Sequence, residues 1–309
     1  MLALTSITGK LGNAVLSAIQ EHDLLPPSRL ILCTSSDPSS PRWNTLKSQG
    51  AQLRHFNFNA PDPATFAGCE KLFLVSTPNI ALDFNDAPEG KGRESAHIAA
   101  INAAVTAGVS HVYYTSLAFG ANSSAGVMRA HLRTEKYLRG LEERGRVKVT
   151  VIREGLYSES WPLYLGYFEL AGGDKRDEII LAGDGRVCWT AIRDLGLGTA
   201  LVLVDGSETW AGKTFYLSAP PEMGRSLREI AGLVGRARGE GAEGYGCREG
   251  RYYVGRGRER SAVEWWSSSY PALEEGECEI RDGTLGELLA SRGVTLKPVE
   301  ETVKEMFGV

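Results

Sequence analysis

Thr5-Ser6-Ile7-Thr8-Gly9-Lys10-Leu11-Gly12 is the stretch of this 309-residue chain whose reading decides the fold. The apolar run Leu2-Ala3-Leu4 leads into it, and a helix-like run over 11–19 leads out. Strand, glycine turn and helix, in that order, are the setting in which backbone N–H groups at a helix N-terminus hold a dinucleotide pyrophosphate. The usual pattern has three glycines. Here Ser6 occupies the first slot, and Gly9 and Gly12 fill the others. The plainer reading is an ordinary strand-to-helix turn in which Gly9 supplies a positive φ. A glycine motif gains weight from standing between a first strand and a first helix, as this one does. Thr5, Ser6, Thr8, Gly9, Lys10, Leu11 and Gly12 are therefore candidate cofactor contacts.

Outward from the octet the chain alternates. Strands are expected at 29–34, 51–56, 71–76, 111–116 and 148–152. Helices are expected at 96–107, stopped by Gly108, and at 127–144, with Leu132, Leu138 and Leu141 on the apolar side. Such alternation builds βαβ units, hence an α/β fold with a Rossmann-type, doubly wound parallel sheet. Residues 1–155 form its dinucleotide-binding core. Residues 156–309 are read as a mixed segment that completes the sheet and forms a small, partly helical C-terminal lobe. Two short helices, near 285–291 and 299–307, close the chain. Ligands of such sheets lie at the carboxyl ends of strands. That rule selects 6–12, 35–38, 57–59, 76–79 and 116–120, and adds Ser35, Ser76, Thr77 and Pro78 to the cofactor set. Thr115 and Ser116 end the fifth strand, where hydroxyls face a nicotinamide or a substrate, or simply cap the strand.

Composition narrows the function classes. Hydrophobic residues make up 42% and charged residues 23%, ordinary globular values. A net charge of −4 gives no global electrostatic case for nucleic acid or an acidic membrane. No uncharged apolar run approaches the roughly 18 residues of a membrane span. Strand-like sequence from residue 2 leaves no room for a leader, so a cytoplasmic protein is expected. Five widely spaced cysteines without a C-x-x-C pair read as reduced structural thiols. The stretch 235–260 carries seven arginines with four interleaved glutamates. It reads as a solvated, partly mobile loop rather than a basic binding arm. His131 and Glu135 have helical ligand spacing but no third His or Cys cluster, so no metal is expected. No G-x-S-x-G elbow supports a serine hydrolase.

With these elements placed, the chain resembles the NmrA-like branch of atypical short-chain dehydrogenases, and within it the NADPH-dependent quinone oxidoreductases. The segments that carry the resemblance run in order. They are Thr8-Gly9-Lys10-Leu11-Gly12, Val109-Ser110-His111-Val112-Tyr113-Tyr114-Thr115-Ser116-Leu117 and His131-Leu132-Arg133-Thr134-Glu135-Lys136. Then come Arg153-Glu154-Gly155-Leu156-Tyr157-Ser158-Glu159, Ala182-Gly183-Asp184-Gly185, Thr190-Ala191-Ile192-Arg193-Asp194, and the closing Pro298-Val299-Glu300-Glu301-Thr302-Val303. Residues 222–297 resemble little else. The resemblance implies a cleft between core and lobe, NADPH in preference to NAD as hydride donor, and quinones or conjugated carbonyl compounds as acceptors.

Several positions depart from the family. The arginine that NADPH-preferring members carry after the second strand is replaced by Ser35-Ser36-Asp37-Pro38. Ser36 offers a 2′-phosphate one hydrogen bond and no charge. Asp37 suits a ribose hydroxyl or starts a turn before Pro38. Lys10 or Arg42 is left to supply the cation. The family's adenine-contacting acid falls at Asn57, so the site is partly degenerate. No lysine has a tyrosine four positions earlier, and the usual Tyr-Lys proton donor is absent. His131 takes its place as preferred proton donor, with Glu135 four residues on to orient the ring and raise its pKa. Tyr157 is a pocket or phenol-donor candidate. Glu154, in a slot where relatives often have asparagine, is a candidate for altered chemistry or an ion-pair partner for Arg153 or Arg193. The aromatic run Tyr157, Trp161, Tyr164, Tyr167 and Phe168, with Trp265 and Trp266, suggests a small, planar, apolar substrate, or else a core. Two other functions stay open on these departures: a non-redox isomerase or cyclase of natural-product biosynthesis, and a dinucleotide-sensing regulator without turnover.

Overall fold

Short runs of Leu, Ile, Val and Phe that are apolar at every position, not at alternate ones, form strands buried on both faces. Here such runs, with more polar strands at the two edges, build one seven-stranded parallel sheet. Its strands are β1 (Leu2–Leu4), β2 (Leu30–Thr34), β3 (Gln52–His55), β4 (Lys71–Leu74), β5 (His111–Leu117), β6 (Lys148–Glu154) and β7 (Lys213–Leu217). The spatial order is β3-β2-β1-β4-β5-β6-β7, so the winding reverses between β1 and β4. The seventh strand comes from the second half of the chain and pairs with β6. The computed structural model describes residues 1–170, 174, 176, 178–239, 246–249 and 259–309.

One sheet face is covered by α1 (Lys10–Glu21), and the other by α2 (Arg93–Thr106) and α3 (Gly126–Glu143). A further helix, α4 (Ile192–Val204), returns to lie across α1. Gly196 is needed at that crossing: a Cβ there would come within 2.7 Å of the Ala14 backbone. Gly108, just past α2, has φ +95°, the left-handed exit read from the sequence.

A second apolar core joins Phe119, Ala125 and Met128 to residues from 156 onward. Trp161, Tyr164, Phe168, Trp189 and Tyr270 are buried in it. Their rings pack on one another, Trp161 on Phe168 and on Phe307, Tyr164 on Trp189 and on Trp266. These five rings are thus spent on core packing. Of the arginine-rich stretch, residues 246–249 form a strand parallel to 178–181. Residues 240–245 and 250–258 lie outside the described residues.

Candidate functional site

The turn between β1 and α1 is built differently from the plain reading. Gly9 is extended, at φ −85° and ψ 171°, and its N–H donates to the Ser6 carbonyl at 2.8 Å. The left-handed residue is Ser6, at φ +54°. Holding an L-residue there costs about 1–2 kcal/mol. Gly12 is required by close approach: a Cβ would lie 2.2 Å from the Ser6 carbonyl oxygen and 2.9 Å from that of Thr5. Helix α1 therefore starts almost in contact with the end of β1. Its N-terminus has no side-chain cap and no acidic residue in the first turn. The first-turn N–H groups have no intrahelical partners and carry the positive end of the helix dipole.

These groups open on a cleft of about 500 Å³. Ser6, Thr8, Gly9, Lys10, Leu11, Gly12, Ser35, Asn57, Ser76, Thr77, Pro78 and Tyr157 all line it, so twelve residues picked from the sequence converge. An uncapped helix start, a glycine contact and the ends of β1 to β4 around one cleft fit a bound dinucleotide.

Other picks do not line it. Thr5 is buried, donating to the Phe73 carbonyl at 3.0 Å and accepting from Val75 N, which joins β1 to β4 at the winding reversal. Thr115 Oγ1 accepts from Ser76 N at 3.4 Å. The Ser36 hydroxyl is bonded to Thr34 Oγ1 at 2.8 Å. Asp37 accepts from Ser39 N and Oγ, local turn bonds that lower its pKa. The Arg42 guanidinium lies 4.4 Å over the Trp43 ring.

The proposed partnership of His131 with Glu135 is not formed. Glu135 accepts from Ser116 Oγ at 2.6 Å and is paired with Arg153 at 2.8 Å. Arg153 in turn donates to Tyr216 Oη at 2.7 Å. Ser116 is thereby buried and committed to a carboxylate. His131 is 1% exposed and does not line the cleft. Burial first, and then the cation Arg93, the neighbouring His97 ring and the cation Arg153, hold its pKa well below the ordinary value, opposite to the expected rise. Its ring is the end of a buried chain that starts at the cleft. Thr77 N–H donates to His97 Nε2 at 3.0 Å, which leaves the His97 proton on Nδ1, bonded to Thr134 Oγ1 at 2.9 Å. Tyr114 Oη lies 3.3 Å from His97 Nδ1 and is hydrogen-bonded to His131 Nδ1 at 2.9 Å. Burial lowers the His97 pKa to about 3, so it remains a neutral acceptor for the loop.

Glu154 is 1% exposed at the end of β6. Thr199 Oγ1 donates to its Oε1 at 2.8 Å, and Oε2 has no partner among the described residues. It pairs with neither Arg153 nor Arg193. Burial raises its pKa to about 8, so it carries a proton at neutral pH. Tyr157 reaches the cleft, and burial pushes its phenol well up, so the hydroxyl is neutral and its proton is available for donation.

Sequence reasoning missed Arg93, which also lines the cleft. It is the first residue of α2, where a cation opposes the helix dipole. That misplaced charge was the available signal. The buried Asp83 compensates it, accepting from Arg93 N at 2.8 Å and from Nε at 2.6 Å.

No protein-family model matches the chain. It is 27% identical to the NmrA-like family domain-containing oxidoreductase flvB of Aspergillus flavus, over 98% of this chain and 94% of that protein. It is 28% identical to quinone oxidoreductase 2 of Escherichia coli, over 71% of this chain and 68% of that one. Among solved structures it superimposes on the Citrobacter sp. triphenylmethane reductase complexed with NADP(H). There the TM-score is 0.73 and the identity 25%, covering 99% of each chain.

Proposed function

Since the chain belongs to the NmrA-like family, we propose that it is an NAD(P)H-dependent oxidoreductase that takes NADP(H) and reduces a small quinone or conjugated carbonyl compound. The observation that carries this reading is the uncapped N-terminus of α1, opening on a cleft that the ends of β1 to β4 and Tyr157 also line. Relatives named as an oxidoreductase and a quinone oxidoreductase support the reaction class, and the NADP(H)-bound reductase supports the dinucleotide.

In this reading the first-turn N–H groups of α1 bind the pyrophosphate, and Gly12 lets it approach the backbone. Residues 56–59 and Ser35 face the adenosine end, and Lys10 is the cation of the turn. His97 holds the Thr77 loop in place from behind. The bound dinucleotide supplies a hydride. The acceptor takes its place beside Tyr157, whose neutral phenol donates a hydrogen bond to an oxygen. An electrophilic quinone needs little further help, which suits a site without a Tyr-Lys pair.

The test follows absorbance at the reduced nicotinamide band, with NADPH or NADH against a panel of quinones. Loss proportional to enzyme, faster with NADPH, is expected. Tight NADPH binding with no oxidation across the panel would refute turnover and leave a dinucleotide sensor. Product formed with no dinucleotide consumed would leave an isomerase or cyclase.

A further inference from the structure

Among the described residues, Arg93 is the one cation of the cleft lining that is also buried, at 3% exposure. Three contacts fix it. Asp83 takes Nε, the Val127 carbonyl accepts from Nη2 at 3.0 Å, and the Trp265 ring lies 5.8 Å from the guanidinium carbon. Trp265 is itself held against Phe84, with ring centroids 5.8 Å apart. Nη1 has no partner among the described residues. A guanidinium clamped on three sides, with one nitrogen unused beside a cleft, is a preorganised donor. Arg93 lines the same cleft as Tyr157 and the loop after β4. The cleft residues nearest to it in sequence, Thr77 to Ile80, belong to the loop after β4.

We infer that Arg93 anchors the oxygen of the acceptor, and that the site selects compounds whose oxygen is anionic or becomes so during reduction. This rests on the oxidoreductase reading for the reaction, though not for the binding. In the reaction the acceptor gains a hydride from a reduced nicotinamide dinucleotide, and the carbonyl π pair moves to oxygen. Arg93 Nη1–H donates to that oxyanion, which then takes a proton from water. Lysine is a poor substitute, because its donors share one nitrogen and cannot span partners that the planar guanidinium meets from three separate nitrogens.

The test compares two naphthoquinones of similar size by calorimetric titration without reductant. One is 2-hydroxy-1,4-naphthoquinone, an anion at pH 7; the other is neutral 2-methyl-1,4-naphthoquinone. The anion is expected to bind at least tenfold more tightly. Arg93→Gln alone strands Asp83, so it is made together with Asp83→Asn; the pair should bring the two affinities within about twofold. Arg93→Lys keeps the charge beside Asp83 and should cut the preference at least threefold, and it decides the matter if the double variant does not fold. An undiminished preference in a folded variant overturns the assignment, as does equal binding of both compounds by the native chain. So does a loss of NADPH affinity with the preference intact, which would put Arg93 on the dinucleotide. Preference governed by Arg93 with no NADPH oxidation would instead leave the anchor standing and refute the reaction.

Discussion

Glu154→Gln is the substitution whose outcome is set most directly by the structure. The carboxyl is fully buried, has a single hydroxyl donor in Thr199, and faces no cation. Desolvation raises its pKa from 4.5 to about 8. A shift of that size corresponds to about 5 kcal/mol. Below about pH 4.5 both folded and unfolded chains hold the proton, and the group costs nothing extra. From there to about pH 8 the unfolded chain releases the proton and the folded chain keeps it, so stability falls as pH rises. About 3 kcal/mol is lost by pH 7 and the remainder by pH 8 to 9. Glutamine keeps an acceptor for Thr199 and has no proton to lose. The two proteins should match within about 1 kcal/mol near pH 4.5, and the variant should be the more stable by roughly 3–5 kcal/mol at pH 8.5. Urea unfolding at half-unit intervals from pH 4.5 to 8.5 measures the difference directly, because all other titrating groups are shared. Parallel profiles across that range would refute the claim that Glu154 is folded in its neutral form.

Gly12→Ala places a methyl group 2.2 Å from a carbonyl oxygen. It should lower stability by more than about 2 kcal/mol and weaken dinucleotide binding, read by thermal unfolding and by NADPH titration. Unchanged affinity would show that the α1 start does not meet the pyrophosphate. Lys10→Ala should weaken NADPH by roughly five- to tenfold and NADH less, with a shallower salt dependence; equal losses would remove Lys10 from phosphate selection. Arg153→Met leaves Glu135 buried without its partner and should cost about 3–5 kcal/mol, whereas Arg153→Met with Glu135→Leu should regain most of it, both measured by denaturant unfolding. His97→Leu removes the acceptor for Thr77 N–H. NADPH affinity should fall several-fold while His97→Gln restores much of it; equal affinities in all three proteins would show that the loop holds itself.

The parts of this molecule that were legible in the sequence are those governed by local pattern. Runs such as Leu30–Thr34 and Lys71–Leu74 are too uniformly apolar to be anything but central strands, and Gly108 and Gly12 mark a helix exit and a close approach that only glycine permits. Because the sheet is parallel, its strand ends converge without further information, and twelve of the predicted contacts fell around one cleft. What could not be read is which way a polar side chain turns at a strand end. Ser116 and Thr115 occupy adjacent positions of β5, yet one serves Glu135 and the other Ser76. Glu135 stands four residues from His131 on α3, which satisfies helical spacing, but Arg153 arrives from β6 and outcompetes a weak neutral partner for the carboxylate. The same long-range effect hid Arg93. Its compensating acid lies ten residues back and its other contacts come from α3 and from Trp265, more than thirty residues onward. The Thr77 loop is therefore held from behind by the buried His97–Thr134–Ala130 chain, and neither it nor the buried Glu135–Arg153 pair is part of the cleft lining. Rate should accordingly respond to pH through the cleft residues and the acceptor alone. A rate profile that instead followed a group near pH 6.5 and vanished in His131→Gln would require His131 to be charged, which its burial beside Arg93 opposes.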